Sequence, residues 1–160
     1  MTAQRESHLQ TLQHLRQLSR VLDSAIGIPG TRFRFGLDPI LGLIPGGGDT
    51  VGALLSAYIV FRAAQMGVPT ESLSKMVGNI LVESLLGTVP LLGDVFDVGW
   101  KANIRNVELL EEHLGAPEPA QAANMGFIVV ALLALILVVL LLATVTLAIA
   151  RVLFGWLANL

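Results

Sequence analysis

Acidic residues occupy matching positions in two apolar segments of the sequence. Residues 38–49 read DPILGLIPGGGD, and residues 83–94 read ESLLGTVPLLGD. An acid, a leucine, a glycine, a proline, a second glycine and an aspartate align without a gap. The offset is a constant 45 residues, from Asp38 to Glu83 and from Asp49 to Asp94. The match predicts two similar helix–turn–helix units that pack about a pseudo-two-fold axis.

Carboxylates brought together by such a repeat could do ionic chemistry. If the two turns meet at the pseudo-axis, Asp49 approaches Asp94, with the other acids nearby. Paired carboxylates in a low-dielectric region bind a hard cation or carry protons, and broken helices in transporters build sites of this kind. The candidate ion-binding or pore residues are the acids in and beside the two turns: Asp38, Asp49, Glu83, Asp94 and Asp97.

The same residues have a purely structural explanation. A glycine at a helix end adopts the left-handed conformation, and a proline three residues later prevents the helix from continuing. Asp49 and Asp94 then suit the N-cap of the next helix, where a carboxylate accepts free backbone N–H groups. Glu83 fits this explanation less well, because it lies inside a predicted helix, one turn after Asn79.

The composition argues against several other classes of function. A formal net charge of −2 does not favour a nucleic-acid binder, and the absence of cysteine excludes disulfides and thiolate metal sites. Asp49 follows the glycine run where a phosphate-binding loop needs lysine, and the three histidines lack zinc-site spacing. The sequence therefore predicts neither an enzyme nor a cofactor, other than a possible cation of unknown identity.

The elements that would position these acids are helical. Hydrophobic residues make up 54% of the chain and charged residues 14%, but the excess is concentrated in residues 121–160, where 32 of 40 residues are hydrophobic. Residues 125–150 carry no charge, and a helix of that length is about 39 Å long, more than the ~30 Å hydrocarbon core of a bilayer. The predicted fold class is an all-α membrane protein with two helix–turn–helix repeats and a C-terminal transmembrane helix.

The pattern divides the chain into four parts. Residues 1–24 form an amphipathic helix, because leucines recur there every three or four residues. Residues 25–114 form the repeat domain, residues 115–124 a linker, and residues 125–160 the transmembrane helix and a short tail. Within the repeat domain we expect a break at residues 28–31, a polar connection over residues 62–75, and helices over residues 75–89 and 94–114.

Polar residues on the last of these helices allow two interpretations. Asp97, Lys101, Arg105 and Glu108 have i,i+3 and i,i+4 spacing, which predicts exposed pairs that each stabilise by only about 0.2–0.5 kcal/mol. The alternative is that Asn103, Arg105 and Asn106 contact lipid headgroups or a partner protein.

Several short motifs resemble one protein family. They are Leu22-Asp23, Ile28-Pro29-Gly30-Thr31, Gly36-Leu37-Asp38, Ile44-Pro45-Gly46-Gly47-Gly48-Asp49, Gly93-Asp94-Val95-Phe96-Asp97 and Asn103-Ile104-Arg105-Asn106. Over about residues 21–114 the chain resembles the domain-of-unknown-function 4112 family. The resemblance implies a membrane-associated protein and no particular activity. It also implies that the family pattern includes Asp23, Asp38, Asn79, Asp94, Asp97, Asn103, Arg105 and Asn106.

Two functions are compatible with these features. The first is an oligomeric ion-binding or ion-conducting module, and the alternative is a membrane-anchored interaction or scaffold protein whose turns are purely structural. Small residues four apart, Gly48, Gly52 and Ser56, favour close helix packing. The expected partners are the lipid bilayer and further copies of the chain, not nucleic acid. The excess of arginine before Gly36 favours the cell membrane with a cytoplasmic N-terminus.

Overall fold

Five helices and one pair of short strands make up the described part of the chain. The computed structural model describes residues 2–27, 29–30, 34–36, 48–87, 100–116 and 121–157. In chain order the elements are α1 (Thr2–Ser24), β1 (Ile26–Gly27), β2 (Arg34–Phe35), α2 (Gly48–Gln65), α3 (Thr70–Gly87), α4 (Ala102–Gly115) and α5 (Met125–Leu157). The predominantly helical fold expected from the sequence is confirmed.

The chain reverses direction after α1 between two short strands. Pro29 and Gly30 are turn residues there, and Gly30 has a φ of 80°, which a residue without a side chain adopts at little cost. The turn lies between β1 and β2, which pair antiparallel. Gly36 then passes so close to α1 that a Cβ there would overlap the Leu22 carbonyl. The predicted break is confirmed at Pro29 and Gly30, whereas strands of two residues are too short to leave a periodic signal.

A Schellman motif connects α2 to α3. Gly67 has a φ of 87°, its N–H donates to the carbonyl of Ala64, and the N–H of Val68 donates to the carbonyl of Ala63. Val68 is fully buried, so the turn is fixed by packing as well as by hydrogen bonds. The connection is shorter than the expected residues 62–75, because α3 already begins at Thr70 and the Glu71–Lys75 ion pair lies within it.

The two helices joined by this turn form the centre of the bundle. α4 packs against α1, α2 and α3, whereas α5 packs against α2 and α3. A single hydrophobic core contains residues from all five helices, among them Leu15, Ile59, Met76, Leu110 and Leu135. The burial of apolar side chains therefore joins α5 to the rest of the fold.

α5 begins with a cap and runs along the bundle. The Asn124 side chain accepts the N–H of Phe127 at 2.7 Å, and the N–H of Ala123 donates to the Val68 carbonyl at 3.3 Å. Ile128, Leu135 and Val139 are buried on the face that meets α2 and α3. Residues Met125–Ile149 are long and apolar enough to cross a membrane, judged by length and composition.

Two expectations about the central region have different outcomes. Asp49 lies near the start of α2, in its first turn, but not at the expected N-cap, because the helix already begins at Gly48. The helix expected over residues 94–114 is wrong at Trp100 and Lys101, which are not helical, because α4 begins at Ala102. Asp38, Asp94 and Asp97 lie outside the described residues, and the repeat remains a prediction.

The packing of α5 can be tested with two matched substitutions. Leu135 is 1% exposed and Leu133 is 61% exposed, so Leu135→Ala leaves a cavity while Leu133→Ala does not. We expect Leu135→Ala to lower the free energy of unfolding by about 2–5 kcal/mol, and Leu133→Ala by about 0.5 kcal/mol or less. Both variants remove the same apolar side-chain atoms from α5, and unfolding in detergent compares their stabilities. Equal losses would contradict the packing of α5 on α2 and α3.

Candidate functional site

The first turn of α4 depends on carboxylates from other helices. Lys101, at its N-cap, has a φ of −116° and makes no side-chain capping bond. Instead, Asp23 of α1 accepts the N–H of Ile104 at 2.8 Å, and Glu83 of α3 accepts the N–H of Ala102 at 3.4 Å. The N–H groups at a helix start have no partner within the helix and favour negative charge. The two acids therefore fix the start of α4 between α1 and α3.

Asp23 is the buried centre of this arrangement. It is 6% exposed, and its second carboxylate oxygen accepts a hydrogen bond of 2.7 Å from the side-chain amide of Asn103. Burial raises the pKa of Asp23 above its ordinary value of 3.8, and the hydrogen bonds from Ile104 and Asn103 oppose that rise. Nearby, the Lys101 ammonium donates to the Ser24 hydroxyl at 2.6 Å.

Two asparagines make a second set of bonds between α3 and α4. Asn79 donates from its side-chain amide to the amide oxygen of Asn106 at 2.9 Å. Asn106, which is fully buried, donates in turn to the Met76 carbonyl at 3.1 Å. The Trp100 indole donates to the Asn79 carbonyl at 3.3 Å. These bonds satisfy polar atoms that would otherwise destabilise the core.

Arg105 lies at the edge of this arrangement. Its guanidinium is 4.0 Å from the centre of the Trp100 ring, in cation–π geometry. Arg105 is exposed, whereas Asn103 and Asn106 are buried against other helices of the same chain. We call the whole set the interhelical polar site, and its members are Asp23, Ser24, Asn79, Glu83, Trp100, Lys101, Asn103, Arg105 and Asn106.

The structure gathers only part of the candidate set into this site. It brings Asn79, Glu83, Asn103, Arg105 and Asn106 together, and it adds Asp23 from the far end of α1. Asp49 belongs to the first turn of α2, while Asp38, Asp94 and Asp97 lie outside the described residues. Pattern analysis did not foresee the roles of Ser24, Trp100 and Lys101. The signal available for Trp100 was its position two residues before a helix whose inner face carries two asparagines.

The chemistry of the interhelical polar site is that of hydrogen bonding between helices. Among the described residues, no group of three or more histidine, aspartate and glutamate side chains is placed to hold a metal ion. The two carboxylates of the site accept backbone N–H groups of α4. An open cavity of about 510 Å³ lies beside the site, lined by Arg20, Val21, Ser24, Ala25 and Ile104.

The raised pKa of Asp23 predicts a pH dependence of stability. A carboxyl whose pKa is higher in the folded than in the unfolded chain stabilises the fold most when it is protonated. Its contribution is complete below about pH 3.8, the ordinary value, and is lost as the pH rises through the folded pKa. We therefore expect the stability of the wild type, relative to Asp23→Asn, to fall as the pH rises from about 4 towards neutrality.

Thermal unfolding of both proteins across this pH range provides the measurement. Glu71→Gln is the matched control, because Glu71 is exposed and its hydrogen bond with Lys75 lowers its pKa. The stability of the wild type relative to this control should change little and in the opposite direction, since exposed pairs are screened by solvent. If the wild type instead gains stability over Asp23→Asn as the pH rises, burial is not the largest effect on the pKa of Asp23.

One family model covers most of the bundle. The model of the domain of unknown function DUF4112 matches residues 11–114, about two thirds of the chain, and this span contains the entire interhelical polar site. No curated protein and no solved structure matches the chain. The chain therefore belongs to the DUF4112 family, with α5 following the family region.

Proposed function

We propose that the protein is a membrane-anchored helical scaffold that presents an interaction surface at the membrane and carries out no catalytic step. In this proposal α5 holds the chain in the bilayer, and the bundle of α1 to α4 is the interacting part. Further copies of the chain are proposed as partners together with the lipid bilayer. We place the protein in the cell membrane with its N-terminus in the cytoplasm.

The proposal is supported above all by the use that the chain makes of its polar side chains. Asp23 and Glu83 accept N–H groups of α4, and Asn79 and Asn106 bond to each other. Carboxylates and amides engaged in this way stabilise contacts between helices and need no ligand to explain their burial. Glu83, the acid that fitted a capping role least well in the sequence, makes a capping bond to a different helix.

An ion-binding or ion-conducting module is the second candidate. It is favoured by one observation, the position of Asp49 in the first turn of α2, a helix that is apolar on its buried and its exposed sides. An acid at the end of such a helix is costly within a bilayer unless it is paired or functional. Under this candidate, Asp38, Glu83, Asp94 and Asp97 would complete a cation site.

Amide substitutions distinguish the two candidates. An amide keeps the shape of the acid and still accepts a hydrogen bond, so Glu83→Gln should cost the cap about 1 kcal/mol or less. It lacks the negative charge that a hard cation needs. The scaffold proposal predicts no ion flux in reconstituted vesicles of the wild type, and no shift of the unfolding temperature with divalent cations. Flux in the wild type that is abolished by Asp49→Asn, Glu83→Gln or Asp94→Asn would contradict it.

Membrane anchoring by α5 is tested by a single charge. Leu137 is 68% exposed and lies at the middle of residues Met125–Ile149, where an arginine costs about 2.5–3.5 kcal/mol of insertion. We expect Leu137→Arg to reduce the fraction of protein that stays with membranes after an alkaline carbonate wash. Val152→Arg is the control, since this exposed position is next to Arg151, outside that range. Equal retention of both variants would contradict anchoring by α5.

A further inference from the structure

We propose that the outer face of α2 contacts the acyl chains of the bilayer beside α5, so that a helix of the family domain also enters the membrane. The outer face consists of Val51, Leu54, Tyr58 and Phe61. The inference goes beyond anchoring by α5 alone and rests on that proposed function.

The four side chains of the outer face form one exposed stripe. They follow each other at intervals of three, four and three residues, which places them on one side of a helix. Val51 is 46% exposed, Leu54 52%, Tyr58 48% and Phe61 38%. The opposite side of α2 is apolar as well, with Ile59 and Ala63 in the core. A helix that is hydrophobic all round is typical of a protein interior or a membrane.

Two polar side chains of α2, Arg62 and Ser56, form their hydrogen bonds away from the outer face. The Arg62 guanidinium donates to the Thr11 hydroxyl of α1 at 3.1 Å and to the Gln65 side chain at 2.7 Å. The Ser56 hydroxyl donates back to the Gly52 carbonyl of its own helix at 3.0 Å. The charge next to the stripe is therefore directed towards α1 and the end of α2.

The helix that carries the stripe packs against α5. The bond between Ala123 and Val68 places the start of α5 next to the end of α2, so the two helices run antiparallel along their contact. On α5 the buried positions extend from Ile128 to Val139, about 17 Å of helix rise, while Leu133 and Leu140 on the same stretch are exposed. α2 therefore runs beside the part of α5 that is long and apolar enough to cross a membrane.

The exposed side chains of α3 change from charged to apolar along the helix, in the direction in which α5 runs. Near the start of α5 it carries the exposed Glu71–Lys75 ion pair, with side chains 80% and 58% exposed. At its other end, beside the start of α2, Leu85 and Leu86 are exposed, while Glu83 is half-buried and accepts the N–H of Ala102. The exposed side chains of α3 thus pass from charged to apolar in the direction in which α5 leaves its cap. A gradient of this kind fits a bilayer boundary, whereas a protein interface has an apolar centre and a polar rim.

Single cysteines can test this contact in the full-length chain, because the sequence contains none. We would label Leu54→Cys and Tyr58→Cys on α2 with bimane and reconstitute each variant in phosphatidylcholine vesicles with or without brominated acyl chains. Leu140→Cys on α5 is the lipid reference, and Glu112→Cys on α4 is the aqueous control, since both positions are exposed. Val51→Cys replaces either α2 variant if that variant fails to fold.

The proposal predicts that brominated lipid quenches the two α2 labels to the same extent as the Leu140→Cys label. The Glu112→Cys label should be quenched only by iodide in the water. Iodide quenching of the α2 labels would overturn the proposal. Protection from both quenchers, with cross-linking between chains, would also overturn it and assign the face to a second copy. If brominated lipid does not quench the Leu140→Cys label either, anchoring by α5 is wrong as well. If it quenches that label but not the α2 labels, only the lipid contact of α2 is wrong.

Discussion

The start of α4 imposes the constraint on which the rest of the structure depends. The first N–H groups of a helix have no partner within it, and burying them unpaired costs free energy. α4 has no side-chain cap of its own, and Asp23 and Glu83 supply the acceptors from α1 and α3. Because both acceptors come from neighbouring helices, pairing the N–H groups also fixes the positions of three helices. A local requirement of one helix thereby becomes a requirement of the whole bundle.

The same requirement connects the interhelical polar site to α5. α3 is bonded to α4 through Asn106 and the Met76 carbonyl, and the turn at Gly67 joins it to the preceding helix, α2. These two central helices then provide the surface against which Ile128, Leu135 and Val139 of α5 are buried. α5 is consequently part of the hydrophobic core as far as Val139, and the helix continues from there to Leu157.

The elements that the sequence predicted well are those with a regular local pattern. The leucine spacing of residues 1–24 corresponds to α1, and the uncharged run after residue 125 corresponds to α5. In both, the side chains that carry the pattern lie within a few turns of each other, so periodicity is sufficient. The chemistry of helix starts placed Asp49 only approximately, since it lies in the first turn of α2 and not at the predicted N-cap.

The start of α4 and the membership of the interhelical polar site could not be predicted by such means. The i,i+4 spacing of polar residues continues through Lys101, so the pattern gave no reason to expect that the helix begins only after this residue. The bond that begins α4 joins it to Asp23, and the bond between Asn103 and Asp23 spans 80 residues of sequence. Periodicity reports which face of a helix is apolar, but not which distant acid will meet its first N–H groups. The family resemblance includes Asp23, Asn79, Asn103, Arg105 and Asn106 without stating what they do, and it does not include Ser24, Glu83, Trp100 or Lys101.

Hydrogen bonds between helices account for Asp23, Asn79, Asn103 and Asn106, the described members of the family pattern that lie between α1, α3 and α4. A double-mutant cycle on Asn79→Ala and Asn106→Ala tests this claim most directly, with free energies of unfolding measured for both single variants and the double variant in detergent. The two side chains bond to each other at 2.9 Å, so the account predicts a coupling of about 0.5–3 kcal/mol. Losses that add to within about 0.3 kcal/mol would contradict it, because independent residues add in that way.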